Sequence, residues 1–135
     1  MLRSVKASDY MARDLVTFTP DTDLFIAIRQ LLHRKVSGAP VVNNEGLLVG
    51  MLSEVDCLRA ILALTYHEEE FGGKVSQYMS QDICTIEYDA DIIKVAESFI
   101  KNGLRRLPVV QHGRLIGQIS RRDVLRAVEV FAQDG

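Results

Sequence analysis

The chain has 135 residues, of which 47% are hydrophobic and 25% charged, and a formal net charge of −2. This length fits one domain or two small units that share a core, and the composition excludes disordered, collagen-like and disulfide-scaffold proteins. The longest apolar run near the middle, residues 60–64, is far shorter than the ~20 residues of a membrane span. The net negative charge argues against bulk nucleic-acid binding, which depends on basic surface.

Neither the N-terminus nor the cysteines point to export. The N-terminus lacks the apolar stretch of a signal peptide. Cys57 and Cys84 have neither metal-ligand nor CxxC spacing. We therefore expect a cytoplasmic protein with both thiols reduced and no membrane or metal partner.

The first half of the chain predicts four elements. They are, in chain order, a strand around residues 15–17, a helix from about residue 22, a β-hairpin of residues 39–42 and 47–52, and a helix that begins at Ser53. Asp21 or Thr22 is the expected N-cap of the first helix. Cys57 falls on the apolar face of the second helix and is predicted to lie in the core.

The second half repeats the first. Tyr10-Met11 recurs 68 positions later as Tyr78-Met79, and after the first hairpin strand the offset becomes 67. The elements recur as a strand at residues 83–85, a helix, a hairpin of residues 107–110 and 115–119, and a helix from Ser120. The sequence therefore divides into repeat 1 (1–64), an acidic linker (65–73) and repeat 2 (74–135).

Each repeat is a β-α-β-β-α unit, so the fold class is α/β (α+β). A unit of about 60 residues is marginal alone, and we expect the two repeats to pack about a pseudo-two-fold axis. Such packing leaves two equivalent clefts between the repeats, and clefts at such interfaces commonly bind small ligands.

A G-x-h-S-x-x-D motif (h, apolar) ends each hairpin, at residues 50–56 and 117–123. One interpretation is a capping arrangement, in which the serine caps the helix and the aspartate reaches back. The other is a nucleotide site, in which the helix N-terminus and serine meet a phosphate and the aspartate accepts from ribose hydroxyls. The two interpretations are compatible.

With these motifs in place, the chain resembles a tandem pair of cystathionine-β-synthase (CBS) domains, also called a Bateman module. The resemblance covers about residues 5–130 and includes the Pro-Val-Val strands at residues 40–42 and 108–110. It implies a regulatory module without catalytic activity, which senses AMP, ADP, ATP or S-adenosylmethionine between the repeats and signals to a partner protein. It also implies a homodimer.

The resemblance assigns ligand-binding roles to two sets of residues. Asp56 and Asp123 would hold ribose hydroxyls, and Ser53 and Ser120 would lie near phosphates. The residues before the Pro-Val-Val strands would line the base or the phosphates; these are Val36, Ser37, Leu104 and Arg105.

The two implied sites differ in charge. Arg121 and Arg122 separate Ser120 from Asp123, whereas Glu54 and Val55 occupy these positions in repeat 1, and Arg105-Arg106 corresponds to Ser37-Gly38. Because arginine suits bidentate phosphate contacts, we expect the Ser120/Asp123 site to be stronger, with Arg105 or Arg122 on the phosphate. The alternative is that these arginines are solvated or pair with acidic neighbours.

Three other functions compete with nucleotide sensing. The chain could be a ligand-free structural or dimerisation scaffold. An enzyme is disfavoured, because the sequence shows no nucleophile–base pair and His67 beside three glutamates lies in the linker. Nucleic-acid binding through the arginines is disfavoured by the net charge.

Overall fold

The computed structural model describes residues 1–66 and 72–134, which form a mixture of helices and strands as the predicted α+β class requires. The helices are α1 (Ala7–Tyr10), α2 (Leu24–Arg34), α3 (Glu54–Tyr66), α4 (Ile92–Asn102) and α5 (Arg121–Asp134), with 3-10 turns at Leu2–Ser4 and Val75–Gln77. The strands are β1 (Gly38–Val42), β2 (Leu48–Ser53), β3 (Ile86–Glu87), β4 (Arg106–Gln111) and β5 (Arg114–Ser120).

The chain forms two compact units that do not coincide with the two sequence repeats. The inserted unit is Val16–Ile83, and the flanking unit combines Met1–Leu15 with Cys84–Gly135. Thus residues 1–15, the start of repeat 1, pack with the elements of repeat 2, and residues 72–83, which include the start of repeat 2, pack with those of repeat 1. The repeat boundaries at residues 64 and 74 stay a prediction from the sequence. The contacts between residues divide the chain differently, after Leu15 and after Ile83.

Each unit contains an antiparallel hairpin with the same register. In the inserted unit Gly38 faces Ser53, and in the flanking unit Arg106 faces Ser120. Both hairpins carry a register shift at the same place, after Val41 and after Val109. The hairpin therefore sets the last residue of β2 or β5, the serine of the motif, directly opposite the first residue of β1 or β4.

The strand that precedes each first helix lies later than predicted. In the flanking unit β3 pairs in parallel with β4, and in the inserted unit a single bridge joins Phe18 to Val41. Phe18 (4% exposed) and Ile86 (8%) are the side chains that enter the cores. Burial of these two residues places the pairing at Phe18 and at residues 86–87, so the predicted strands at residues 15–17 and 83–85 are wrong by one to three residues.

The predicted N-cap of the first helix is also wrong. Asp23 caps α2, since its carboxylate accepts from the Ile26 amide at 3.1 Å. Asp91 caps α4 in the same way, through the Lys94 amide at 2.9 Å. Thr22 donates its amide to the Thr19 carbonyl at 3.0 Å, which closes a separate turn and delays the helix.

Each unit has its own hydrophobic core, in which its helices cover one face of the hairpin. Leu52 and Cys57 are buried in the inserted unit, and Leu107 and Ile119 in the flanking unit. The prediction that Cys57 is a core residue is confirmed by its 6% exposure. Helix α3 continues into the predicted linker as far as Tyr66, and residues 67–71, with His67 and the three glutamates, lie outside the described residues.

Candidate functional site

The Ser-x-x-Asp motif forms a reciprocal cap at the start of α5. The Ser120 amide donates to Oδ2 of Asp123 at 2.8 Å, and the Asp123 amide donates to Oγ of Ser120 at 3.1 Å. Ser53 and Asp56 repeat the arrangement at 2.9 and 3.1 Å at the start of α3. The capping interpretation is therefore confirmed in both units, and the hydroxyl proton of each serine is left for another acceptor.

The chain itself uses much of the donor capacity of these helix N-termini. The Arg121 amide donates to the Arg105 carbonyl at 3.2 Å, and the Glu54 amide donates to the Ser37 carbonyl at 2.9 Å. Together with the serine caps, these bonds satisfy the first and third amides of α5 and of α3. A phosphate at either helix would therefore depend on side chains more than on backbone amides.

A cavity of about 310 Å³ opens beside the Ser120/Asp123 cap. Arg106 and Arg126 contribute two guanidinium groups to its wall, and it lies entirely within the flanking unit. Its lining residues are Ala12, Arg106, Gln118, Ile119, Ser120, Asp123 and Arg126. A hydroxyl, a carboxylate and two cations thus share one cavity, which suits a ligand with both hydroxyl donors and an anionic group.

Asp123 is buried, with 6% of its surface exposed, and forms an ion pair with Arg126 one turn later. The guanidinium Nη2 of Arg126 donates to Oδ1, the carboxylate oxygen that the cap does not use. In the inserted unit the corresponding Arg59 Nη1 lies 3.9 Å from Asp56 Oδ1, beyond hydrogen-bond distance. The two motifs share a cap and differ in how their free carboxylate oxygen is partnered.

The other residues predicted to bind the ligand lie around the caps, and some of them contact the helix through backbone carbonyl groups. Ser37 and Arg105 contribute carbonyl oxygens, as described above, and the Leu104 carbonyl accepts from Arg121 Nε at 2.7 Å. Arg122 is exposed on α5. Val36 is half-buried and lines an apolar cavity of about 190 Å³ between α2 and α3. Phosphate contacts from Arg105 or Arg122 stay a prediction, since neither lines the cavity beside Ser120.

Sequence reasoning missed Arg106 and Arg126 as the basic residues that line the cavity beside this cap. Both could have been found. Arg106 opens β4, and the hairpin register places it opposite Ser120. Arg126 follows Asp123 by three positions on a helix, a spacing at which side chains are neighbours. Repeat 1 has Gly38 in place of Arg106, so the charge difference between the repeats extends to the cavity wall.

The glycine of the motif is in close contact with a methionine. A Cβ built on Gly117 would lie 2.4 Å from Sδ of Met11, and one on Gly50 would lie 2.4 Å from Sδ of Met79. In each unit, therefore, a methionine near the start of one repeat contacts the motif glycine of the other repeat. The close approach to this glycine is therefore made by a side chain of the same unit.

Cys57 adjoins Asp56 but is not activated by the helix N-terminus. Burial raises the pKa of its thiol above the ordinary value of 9.0, and the negative charges of Asp56 and Glu54 raise it further. Thiolate formation is therefore disfavoured, which argues against a nucleophilic role.

The part of the chain that the structure describes contains neither a metal-binding cluster nor a helix that could span a membrane. Residues 1–66 and 72–134 bring together no group of three or more His, Cys, Asp or Glu side chains able to hold a metal ion. Over the same residues, no helix has the length and apolar character that a membrane crossing requires.

Comparison with known proteins shows which proteins share this architecture. The CBS domain family matches the chain twice, at residues 7–63 and 75–130. The crystal structure of CBSX2, a CBS-pair protein from Arabidopsis thaliana, in complex with AMP superposes with a TM-score of 0.82; it is 27% identical, and the match covers 95% of this chain and 98% of that one. Protein MJ1426 of Methanocaldococcus jannaschii is 32% identical, with 89% of each chain covered.

Other relatives are much longer. Protein MJ1225 of the same archaeon is 32% identical over 87% of this chain, which spans 41% of its length. The inosine-5'-monophosphate dehydrogenase of that organism is 34% identical over 90% of this chain, which spans 23% of the enzyme. The same kind of pair therefore also occurs as one part of larger proteins, including an enzyme.

Proposed function

The chain belongs to the CBS domain family as a tandem pair, and on that premise we propose that it is a regulatory module that binds an adenosine-containing ligand and signals to a partner protein. AMP, ADP, ATP and S-adenosylmethionine are the candidate ligands. The observation that carries the proposal is the cavity in which Ser120 and Asp123 meet Arg106 and Arg126.

The chemistry of this cavity fits the parts of a nucleotide. Asp123 would accept from the ribose hydroxyls through Oδ1, since Oδ2 is held by the Ser120 amide. The two arginines would contact phosphate, and the free hydroxyl proton of Ser120 would add a donor. The AMP complex of CBSX2, a relative similar over nearly its whole length, supports AMP as the first ligand to test.

We propose that the two motifs bind with unequal strength and that the Ser120/Asp123 site is the stronger. Arg106 and Arg126 line its cavity. At the Ser53/Asp56 site the position of Arg106 is occupied by Gly38, and Glu54 replaces Arg121 at the helix start. A carboxylate beside a phosphate is repulsive, whereas a guanidinium is attractive, so both differences favour the flanking unit.

The test is the thermal unfolding of the purified chain with AMP, ADP, ATP, S-adenosylmethionine, NADH and GTP. A ligand at a hundredfold excess over its Kd stabilises the native state by about 2.7 kcal/mol, roughly 10 °C for a chain of this length. Asp123→Asn removes the carboxylate yet keeps an oxygen that accepts from the Ser120 amide, and Asp56→Asn is its matched control. We expect the ligand-induced rise in melting temperature to be lost in Asp123→Asn and largely kept in Asp56→Asn. Equal losses in the two variants would refute the proposal that the two motifs bind with unequal strength.

A ligand-free dimerisation scaffold is the second candidate, and exposed apolar side chains on the helices support it. In the inserted unit Leu58 is 60% exposed on α3, and in the flanking unit Leu125 is 67% exposed on α5. We propose that a second copy of the chain covers such residues, which makes a homodimer with either function. Light scattering of Leu58→Glu and Leu125→Glu checks the dimer, and the absence of a shift with every ligand would favour the scaffold.

A further inference from the structure

We propose that Arg126 makes the Ser120/Asp123 site selective for anionic nucleotides over uncharged nucleosides, because it competes with the ribose for Asp123. This inference rests on the proposed function, since it takes Asp123 as the acceptor of ribose hydroxyls. It assigns a specificity-determining role to a residue outside the Ser-x-x-Asp motif.

The competition follows from the two oxygens of one carboxylate. Oδ2 of Asp123 accepts from the Ser120 amide at 2.8 Å, and Oδ1 accepts from Arg126. The carboxylate is buried, with its side chain 9% exposed, so access to it is narrow. A vicinal diol brings two further donors to this carboxylate, and Arg126 already donates to Oδ1, the oxygen that the cap leaves free.

Arg126 is able to leave Asp123 without disturbing the core. Its side chain is 63% exposed and lines the cavity. When it leaves, the ion pair is lost, and a charge-assisted hydrogen bond must be replaced. A phosphate in the same cavity offers the guanidinium a new anionic partner, and this contact offsets the loss. An uncharged nucleoside offers no such partner, so its binding carries the full cost of the displacement.

The inserted unit shows the same motif without this competition. Arg59 corresponds to Arg126, and its side chain is 76% exposed. Its guanidinium lies 3.9 Å from Oδ1 of Asp56, which is too far for a hydrogen bond. Competition for the ribose acceptor is therefore a property of the Ser120/Asp123 site and not of the motif itself.

Calorimetric titration of AMP and adenosine into the full-length chain tests the inference. An Asp56→Asn background restricts binding to the Ser120/Asp123 site and keeps the Ser53 cap. In this background we expect Arg126→Gln to weaken AMP binding about tenfold, because the phosphate loses a charge-assisted contact, and to tighten adenosine binding about threefold, as expected for the loss of a partly exposed ion pair. The preference for AMP over adenosine then falls about thirtyfold.

The control is Arg114→Gln, which removes the same charge from the exposed start of β5 in the same unit. It is expected to leave the preference within about twofold, since long-range electrostatics are screened. Arg126→Lys keeps the charge without the planar fork and is expected to give an intermediate preference. It serves as the second variant if Arg126→Gln melts at a markedly lower temperature.

The outcomes separate the two proposals. If the unmutated site binds AMP and Arg126→Gln leaves the ratio of the AMP and adenosine affinities unchanged, the role of Arg126 is refuted and the proposed function stands. If the wild-type chain binds no adenosine compound, the proposed function is refuted and the role of Arg126 with it.

Discussion

Replacement of Gly117 by alanine places a methyl group where the side chain of Met11 already lies. The new Cβ would be 2.4 Å from Sδ and 2.8 Å from Cγ of Met11, against an ordinary contact of 3.4–4 Å. Met11 is 9% exposed, so its sulfur must move by about 1 Å inside a packed core. Such overpacking costs about 1–3 kcal/mol, and an off-rotamer methionine adds about 1 kcal/mol.

The backbone cannot relieve this overlap at low cost. The Cβ would also lie 2.9 Å from the carbonyl oxygen of Ala12, which accepts from the Gln118 amide at 2.9 Å. The Ala12 amide in turn donates to the Gln118 carbonyl at 2.8 Å, so a shift of this segment strains two hydrogen bonds. We expect Gly117→Ala to lower the free energy of unfolding by about 2–3 kcal/mol.

Urea and thermal unfolding of three alanine variants measure this effect. In Gly50→Ala the nearest carbonyl oxygen, that of Ser80, would be 3.2 Å away, so the expected loss is smaller, about 1–2 kcal/mol. Gly72→Ala meets nothing within 4 Å and is expected within about 0.5 kcal/mol of wild type. A Gly117→Ala chain as stable as Gly72→Ala would refute the reasoning, as would the absence of coupling between Gly117→Ala and Met11→Ala in a double-mutant cycle.

Three further outcomes are expected. Ser120→Ala removes the hydroxyl that accepts from the Asp123 amide and should cost about 1 kcal/mol in chemical denaturation, as should Ser53→Ala; no loss in either would contradict the capping role. With a thiol reagent at pH 8, half-buried Cys84 should react before buried Cys57, which should react only on unfolding. Burial raises the pKa of Cys57 in the native state, so the contribution of this thiol to the free energy of unfolding is complete below the ordinary pKa of 9.0 and declines as pH rises above it. Cys57→Ala should flatten this decline of stability with pH. A steeper decline in the variant would contradict the burial argument.

The repeat and the hairpins could be predicted because they depend on local patterns. The Pro-Val-Val strands alternate with turns, and the Ser-x-x-Asp motif fixes where α3 and α5 begin. The strand before each first helix was predicted too early, since its position depends on the burial of Phe18 and Ile86 in cores that local patterns do not show. The N-cap was misplaced because Thr19 and Thr22 form a turn that competes with the helix.

The sequence predicted the motif of the candidate site but not the arginines that line its cavity. Ser120 and Asp123 lie three positions apart in the sequence and are recognisable as a pair. Arg106 reaches the site only through the pairing of β4 with β5, and the contact of Met11 with Gly117 joins residues more than a hundred positions apart. Contacts of this kind depend on tertiary packing, so the sequence pattern led to the neighbouring arginines at 105 and 122.

The division of the chain into an inserted and a flanking unit has a consequence for the order of synthesis. Every segment of the inserted unit has left the ribosome once residue 83 has emerged, so this unit can fold while the rest is still being translated. Residues 1–15 precede the inserted unit, yet the strand they pair with, which contains Gln118, is made only after the whole of that unit. The flanking unit therefore cannot close until β5 has been translated, which happens after the inserted unit is complete.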